Sequence, residues 1–177
     1  MPPDFEPSDT NWEDLGDTLT SIVQTSFEAV LAEIVDNSID ADASKIYVEF
    51  VGFNRDDFAV VVYDNGKGFR TKADQKKGKS ASIKGLEEAF SLAGGIGMGG
   101  IGKFNIGLKI TPLSKCDTVF AMCKLGNDKI IHRGMNKPLM AKNKSYGTFT
   151  EDPGTAASRV ARKRLKSSNN DYRTAII

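Results

Sequence analysis

Six consecutive apolar or aromatic residues, Phe58-Ala59-Val60-Val61-Val62-Tyr63, run directly into Asp64-Asn65-Gly66-Lys67-Gly68. A short, almost unbroken apolar run of this kind reads as a buried strand. It leaves a carboxylate at the strand's mouth, where an acceptor could read an exocyclic amine. Gly66 and Gly68 would let a flat ring approach the backbone closely. Asn65-Gly66 is equally a tight-turn signal, and that reading needs no ligand. Upstream, residues 45–51 also have strand character, and the polar link 54–57 suits a turn between antiparallel partners.

A helix is expected before this pair. Thr25-Ser26-Phe27-Glu28 has the form of a capping box, with Glu28 placed to reach back to the Thr25 amide. Phe27, Val30, Leu31, Ile34 and Val35 follow at helical spacing as one apolar stripe. At about 100° per residue, Glu33, Asn37 and Asp40 fall within roughly 60° of one another on its flank. Glu33 and Asn37 are neighbours one turn apart. A carboxylate there can take a proton from water, and an amide oxygen can ligate Mg²⁺ without adding charge. Polar residues on a helix flank are more often simply solvated, so this helix alone decides nothing.

Residues 70–81 are lysine-rich, and a helix is expected from Ser82 to about Ala93. Six glycines between 94 and 102 then exclude a helix or strand interior. Dinucleotide-binding and Walker A patterns can both be laid over them. Both fail on context, because a helix precedes where a strand is required, and Phe104 stands where a hydroxyl should ligate Mg²⁺. What survives is a glycine loop leading into a helix start, which offers amides to phosphate. Strands are expected at 117–125, 129–133 and 146–150, the first two joined across Gly126-Asn127. Beyond Pro153 the chain turns basic (Arg159, Arg162, Lys163, Arg164, Lys166) and then polar.

The 177 residues suffice for one core, and 40% hydrophobic with 27% charged residues is globular composition. A net charge of +1 gives no overall pull toward nucleic acid. Cys116 and Cys123 read as two small buried hydrophobes, since no disulfide framework or metal tetrad can be assembled from them. The N-terminus lacks signal-peptide character, and no apolar run approaches the roughly 20 residues that span a bilayer. No membrane association is expected, and the location expected is cytoplasmic, or nuclear in a eukaryote.

Taken in order, the motifs resemble the GHKL superfamily of gyrase B, the ninety-kilodalton heat-shock chaperones, sensor histidine kinases and MutL. Glu33-Ile-Val-Asp-Asn37-Ser-Ile-Asp40-Ala41 looks like its N box, and Asp64-Asn-Gly66-Lys-Gly68-Phe like its D-x-G-x-G box. Gly100-Ile-Gly102-Lys103-Phe-Asn-Ile-Gly107-Leu-Lys109 looks like the glycine box, with Gly-Leu-Lys nearest to MORC-type members. Gly147-Thr148-Phe149 sits where the family carries its last Gly-Thr motif. The resemblance spans about residues 25–150. It also fits bacterial histidine kinase-like ATPase domains.

The resemblance implies an α/β two-layer sandwich, the Bergerat fold, with helices on one face of a mixed, largely antiparallel sheet and ATP between the layers. It implies Glu33 as general base, Asn37 as Mg²⁺ ligand, and Asp64 as acceptor from the adenine amine with Thr148 in support. Asp40, Gly66 and Gly68 would line the site. Gly100, Gly102, Lys103 and Gly107 would hold phosphates, with 70–100 as the lid. Asn105 departs from the glycine common in relatives and would stiffen the phosphate turn. The domain limits expected are an arm at 1–20, the ATP-binding domain at 21–152, and a basic polar tail or linker start at 153–177.

Slow ATP hydrolysis coupled to lid closure or homodimerisation is the leading expectation. The alternative is a non-hydrolysing nucleotide-binding module. Hydrolysing relatives receive a Lys or Arg from a following domain, so a protein or DNA partner, or a longer chain, would have to supply that cation. The one histidine, His132, lies inside an expected strand and reads as structural, which disfavours a phosphoacceptor kinase.

Overall fold

The computed structural model describes residues 5–7, 26–52, 58–91, 112–126, 129–167 and 171–177. Its strands are β1 (Phe5–Pro7), β2 (Ile46–Val51), β3 (Ala59–Asp64), β4 (Thr118–Leu125), β5 (Lys129–Asn136), β6 (Gly147–Phe149) and β7 (Thr174–Ile176). The helices among the described residues are α1 (Phe27–Asp40), α2 (Lys72–Lys76), α3 (Ile83–Phe90), α4 (Lys137–Asn143) and α5 (Ala156–Lys166). The strands form one sheet in the order β1-β6-β5-β4-β7-β3-β2, and every described pairing is antiparallel. The α/β class therefore stands.

Strand alternation sorts the core into two layers. Val62, Val119, Ala121, Met135 and Ile176 pack with Val30 and Ile34 of α1, Leu86 and Phe90 of α3, and Met140 of α4. Their neighbours Val61, Tyr63, Phe120, Met122 and Ala175 pack with Ala157, Ala161 and Leu165 of α5. Helices thus cover both faces of the sheet, one more layer than the one-faced sandwich expected. β3 is buried because it has a strand on each side and helix on each face.

The region expected as a tail is the largest correction. α5 docks on the second face, and β7 enters the sheet between β3 and β4. Of its basic residues, Arg164 ties the helix to β2, while Arg162 and Arg159 fasten it to the loop that precedes it. Arg162 pairs with Asp152 (Nε to Oδ2 2.9 Å), Arg164 with Glu49 (3.0 Å), and Arg159 donates to the Gly154 carbonyl. Arg164 also lies 4.7 Å over the Tyr47 ring. The expected arm likewise contributes β1, although residues 8–25 lie outside the described ones.

Local expectations shift by one to three residues. The cap of α1 is Ser26, whose hydroxyl accepts from the Ala29 amide at 3.2 Å, so the helix starts one residue past the expected Thr25 cap. α3 ends at Phe90, short of Ala93. Cys123 is buried as expected, but Cys116 precedes β4 and is exposed. His132 is structural: its ring lies 5.6 Å from Phe120 and its Nδ1 contacts the Thr150 carbonyl.

Candidate functional site

β3 delivers Asp64 to the end of α1 with its carboxylate 3% exposed. The Gly66 amide donates to Oδ1 at 2.9 Å and the Ser38 hydroxyl to Oδ2 at 3.2 Å. Thr174 lies directly opposite in the β3–β7 register, with its hydroxyl placed to favour the charged carboxylate. Burial pushes the Asp64 carboxyl above the usual carboxylate range, against the downward pull of these three donors.

The loop after Asp64 is stitched to its surroundings rather than turned into a hairpin. Asn65 Oδ1 accepts from the Ser44 and Lys45 amides, both at 2.9 Å, and the Lys67 amide donates to the Ala41 carbonyl at 2.7 Å. A Cβ on Gly66 would lie 2.7 Å from that Ala41 oxygen. The end of α1 therefore requires glycine at position 66 whatever occupies the cavity. Gly68 combines a φ of +69° with a hypothetical Cβ only 2.7 Å from Cys123 Sγ, so it too is fixed by packing.

Asp64 opens into a cavity of about 300 Å³. Asn37, Ser38 and Asp40 of α1 line one wall; Gly68, Phe69 and Arg70 line another, with Thr174 at the floor. A larger cavity of about 750 Å³ lies between α1, β3 and β4, but its lining is mainly apolar and holds none of the expected site residues. Chemistry therefore favours the smaller one, where a buried carboxylate and several donors converge.

The other expected site residues divide. Asn37 and Asp40 line the cavity, and the Asn37 amide donates to the Glu33 carbonyl at 2.7 Å. Glu33 is exposed one turn away and is not among the lining residues. Thr148 is misplaced in the sequence reading. It is buried in β6 and accepts from Arg133 Nη1 at 2.6 Å. Four strand spacings separate β6 from β3, about 19 Å at the usual interval. Thr174 holds the position expected for it. Gly100, Gly102, Lys103, Asn105 and Gly107 lie outside the described residues.

Sequence reasoning also missed Ser38, although it stands four residues after Ile34 on the buried face of α1. A small hydroxyl in an apolar stripe was the available signal. Thr174-Ala175-Ile176-Ile177 had strand character, but no local pattern said where such a strand would dock.

The first part of the expected lid is tied down. Asp74 Oδ2 accepts from Ser82 Oγ (2.7 Å), Thr71 Oγ1 (2.8 Å) and the Thr71 amide (3.0 Å). These bonds, from Ser82 and then Thr71, hold the Asp74 carboxyl below its ordinary value. Tyr146 Oη donates to the Phe90 carbonyl at 2.7 Å and anchors the end of α3.

Compared with known families, residues 25–155 match the one described as histidine kinase-, DNA gyrase B-, and HSP90-like ATPase. The chain belongs to that family, whose domains bind ATP. No curated protein matches it. The family match ends before α5 and β7, so Thr174 lies beyond the matched span.

Proposed function

We propose that the cavity between α1 and the head of β3 binds Mg·ATP, with Asp64 reading the adenine amine and Asn37 facing the metal. The observation that carries this is Asp64 itself, a buried carboxylate beside Ser38, Gly66 and Thr174 that lines a cavity of mixed polar and apolar character. A ligand N–H would return hydrogen bonding that burial takes from the carboxylate. Among the described residues no three His, Cys, Asp or Glu side chains converge. One neutral amide, with phosphate oxygens and water, is a fitting set for Mg²⁺, which keeps several waters and few protein ligands. The bound ion would neutralise phosphate charge. Binding would act as a conformational or dimerisation switch through lid closure, which sedimentation with and without Mg·ATP checks.

In this reading Glu33 accepts a proton from the attacking water and turnover is slow. A second reading, a nucleotide switch that does not hydrolyse, is favoured by the exposure of Glu33 outside the cavity lining. Glu33→Ala and wild-type turnover together separate them. With hydrolysis by Glu33, binding stays intact and turnover falls about 10²–10⁴-fold; equal rates remove Glu33 from that role, and wild-type binding without turnover assigns the chain to the second reading. Calorimetry showing neither ATP nor ADP binding in Mg²⁺ removes both.

A further inference from the structure

Arg70 is an unusual lining residue, because its side chain is only 10% exposed and its charge is weakly answered. Among the described residues its acidic partner is Asp42, at 3.8 Å. Asp42 is already held by Lys67 at 2.6 Å and is 60% exposed. A guanidinium at that distance from a shared, solvated carboxylate gains little from the pair. The backbone of Arg70 is nevertheless fixed on both sides. The Phe69 carbonyl accepts from the Ser82 amide at 2.9 Å, and Thr71 caps α2. Among the described residues, it is thus held at the cavity wall with its fork of donors incompletely used.

The charge balance of the cavity indicates what those donors are for. The described lining carries Asp40, Asp64 and Glu88 against Arg70 and Lys72; Asp40, Glu88 and Lys72 are exposed, which leaves Arg70 as the sheltered cation. A polyphosphate entering such a site meets an acidic surplus unless a cation turns toward it. Arginine's planar fork suits phosphate oxygens, with two parallel N–H bonds available. We infer that Arg70 is the chain's own cationic contact for the nucleotide's phosphates, exchanging Asp42 for a phosphate oxygen on binding. This rests on the nucleotide reading of the cavity, and it removes the need for a partner to supply every phosphate-facing cation.

The test is calorimetry on the full chain with Mg²⁺, titrating adenosine, ADP and ATP into wild type, Arg70→Met, Arg70→Lys and Asp42→Asn. Arg70→Met should weaken ADP and ATP on the order of tenfold or more, the scale of a charge-assisted bond, and leave adenosine unchanged. Arg70→Lys, which keeps the charge and loses the fork, should fall between. Asp42→Asn should tighten ATP about two- to fivefold by removing the competitor. Equal losses for adenosine and ATP would place Arg70 against the base and overturn the inference, as would unchanged ATP affinity in Arg70→Met. Should Arg70→Met not fold, Arg70→Lys and Asp42→Asn decide by the same ATP-to-adenosine ratio. Wild type binding neither ligand would instead strike the nucleotide reading itself.

Discussion

β1 and β7 are each three residues long, and both lie in stretches that read from sequence as an arm or a tail. In the sheet they part company. Among the described residues β1 pairs only with β6, at the edge, and its Glu6 and Pro7 are exposed. β7 is hydrogen-bonded on both sides, to β3 and β4, and all three of its residues are buried. Each strand carries or borders one threonine that matters: Thr148 faces Glu6 across the β1–β6 pair, and Thr174 faces Asp64 across the β3–β7 pair. Equal length and equally bland sequence thus conceal a difference between trimming a border and splitting the sheet.

Truncation gives the sharpest break in this comparison. Removing residues 155–177 deletes β7 together with the apolar face of α5, and should abolish cooperative thermal unfolding, a loss comparable to a domain's whole stability of about 5–15 kcal/mol. Removing residues 1–7 takes away the half-buried Phe5 and the Glu6–Arg133 pair, and should lower stability by only about 1–2 kcal/mol. Calorimetric scans of the two truncations compare them directly, and a cooperative transition without 155–177 would refute the central role of β7.

The next effect concerns the carboxylate that β7 supports. Asp64→Asn should weaken ATP by on the order of 1.5–3 kcal/mol, measured by calorimetry. The same change tests the pH linkage. Because burial raises the folded pKa of Asp64 above the unfolded value of about 3.9, the native state holds the extra proton. Its contribution to stability is therefore full below the unfolded pKa and is lost as pH rises through the folded value. Thermal midpoints followed upward from about pH 4 should decline less steeply in Asp64→Asn; an unchanged slope would clear Asp64 of that role.

The smallest effect separates the threonines themselves. Thr174→Val should weaken ATP by about 0.5–1.5 kcal/mol, one neutral hydrogen bond, whereas Thr148→Val should leave ATP affinity unchanged and register only in stability. A loss of affinity in Thr148→Val equal to that in Thr174→Val would mean that sequence order, not sheet order, identifies the supporting residue.

Much of this was legible because local physics repeats. The β2–β3 pair, the buried face of α1 and the carboxylate after the apolar run all follow from patterns within fewer than ten residues. Two readings go astray for one reason. Motif order points to Thr148 and charge alone makes 159–166 a tail, yet Thr148 bonds Arg133 of β5 and Arg164 bonds Glu49 of β2.

By itself, then, the sequence determined the α/β class, the helix face with Asn37 and Asp40, and the position of Asp64 at a strand's end, because periodicity and turn chemistry act between near neighbours. Tertiary structure alone decided that Thr174 rather than Thr148 meets Asp64, that α5 docks through its apolar face and Arg164, and that Arg70 lines the cavity. Those outcomes depend on the register between β3 and β7 and on covering both sheet faces, which no local pattern encodes.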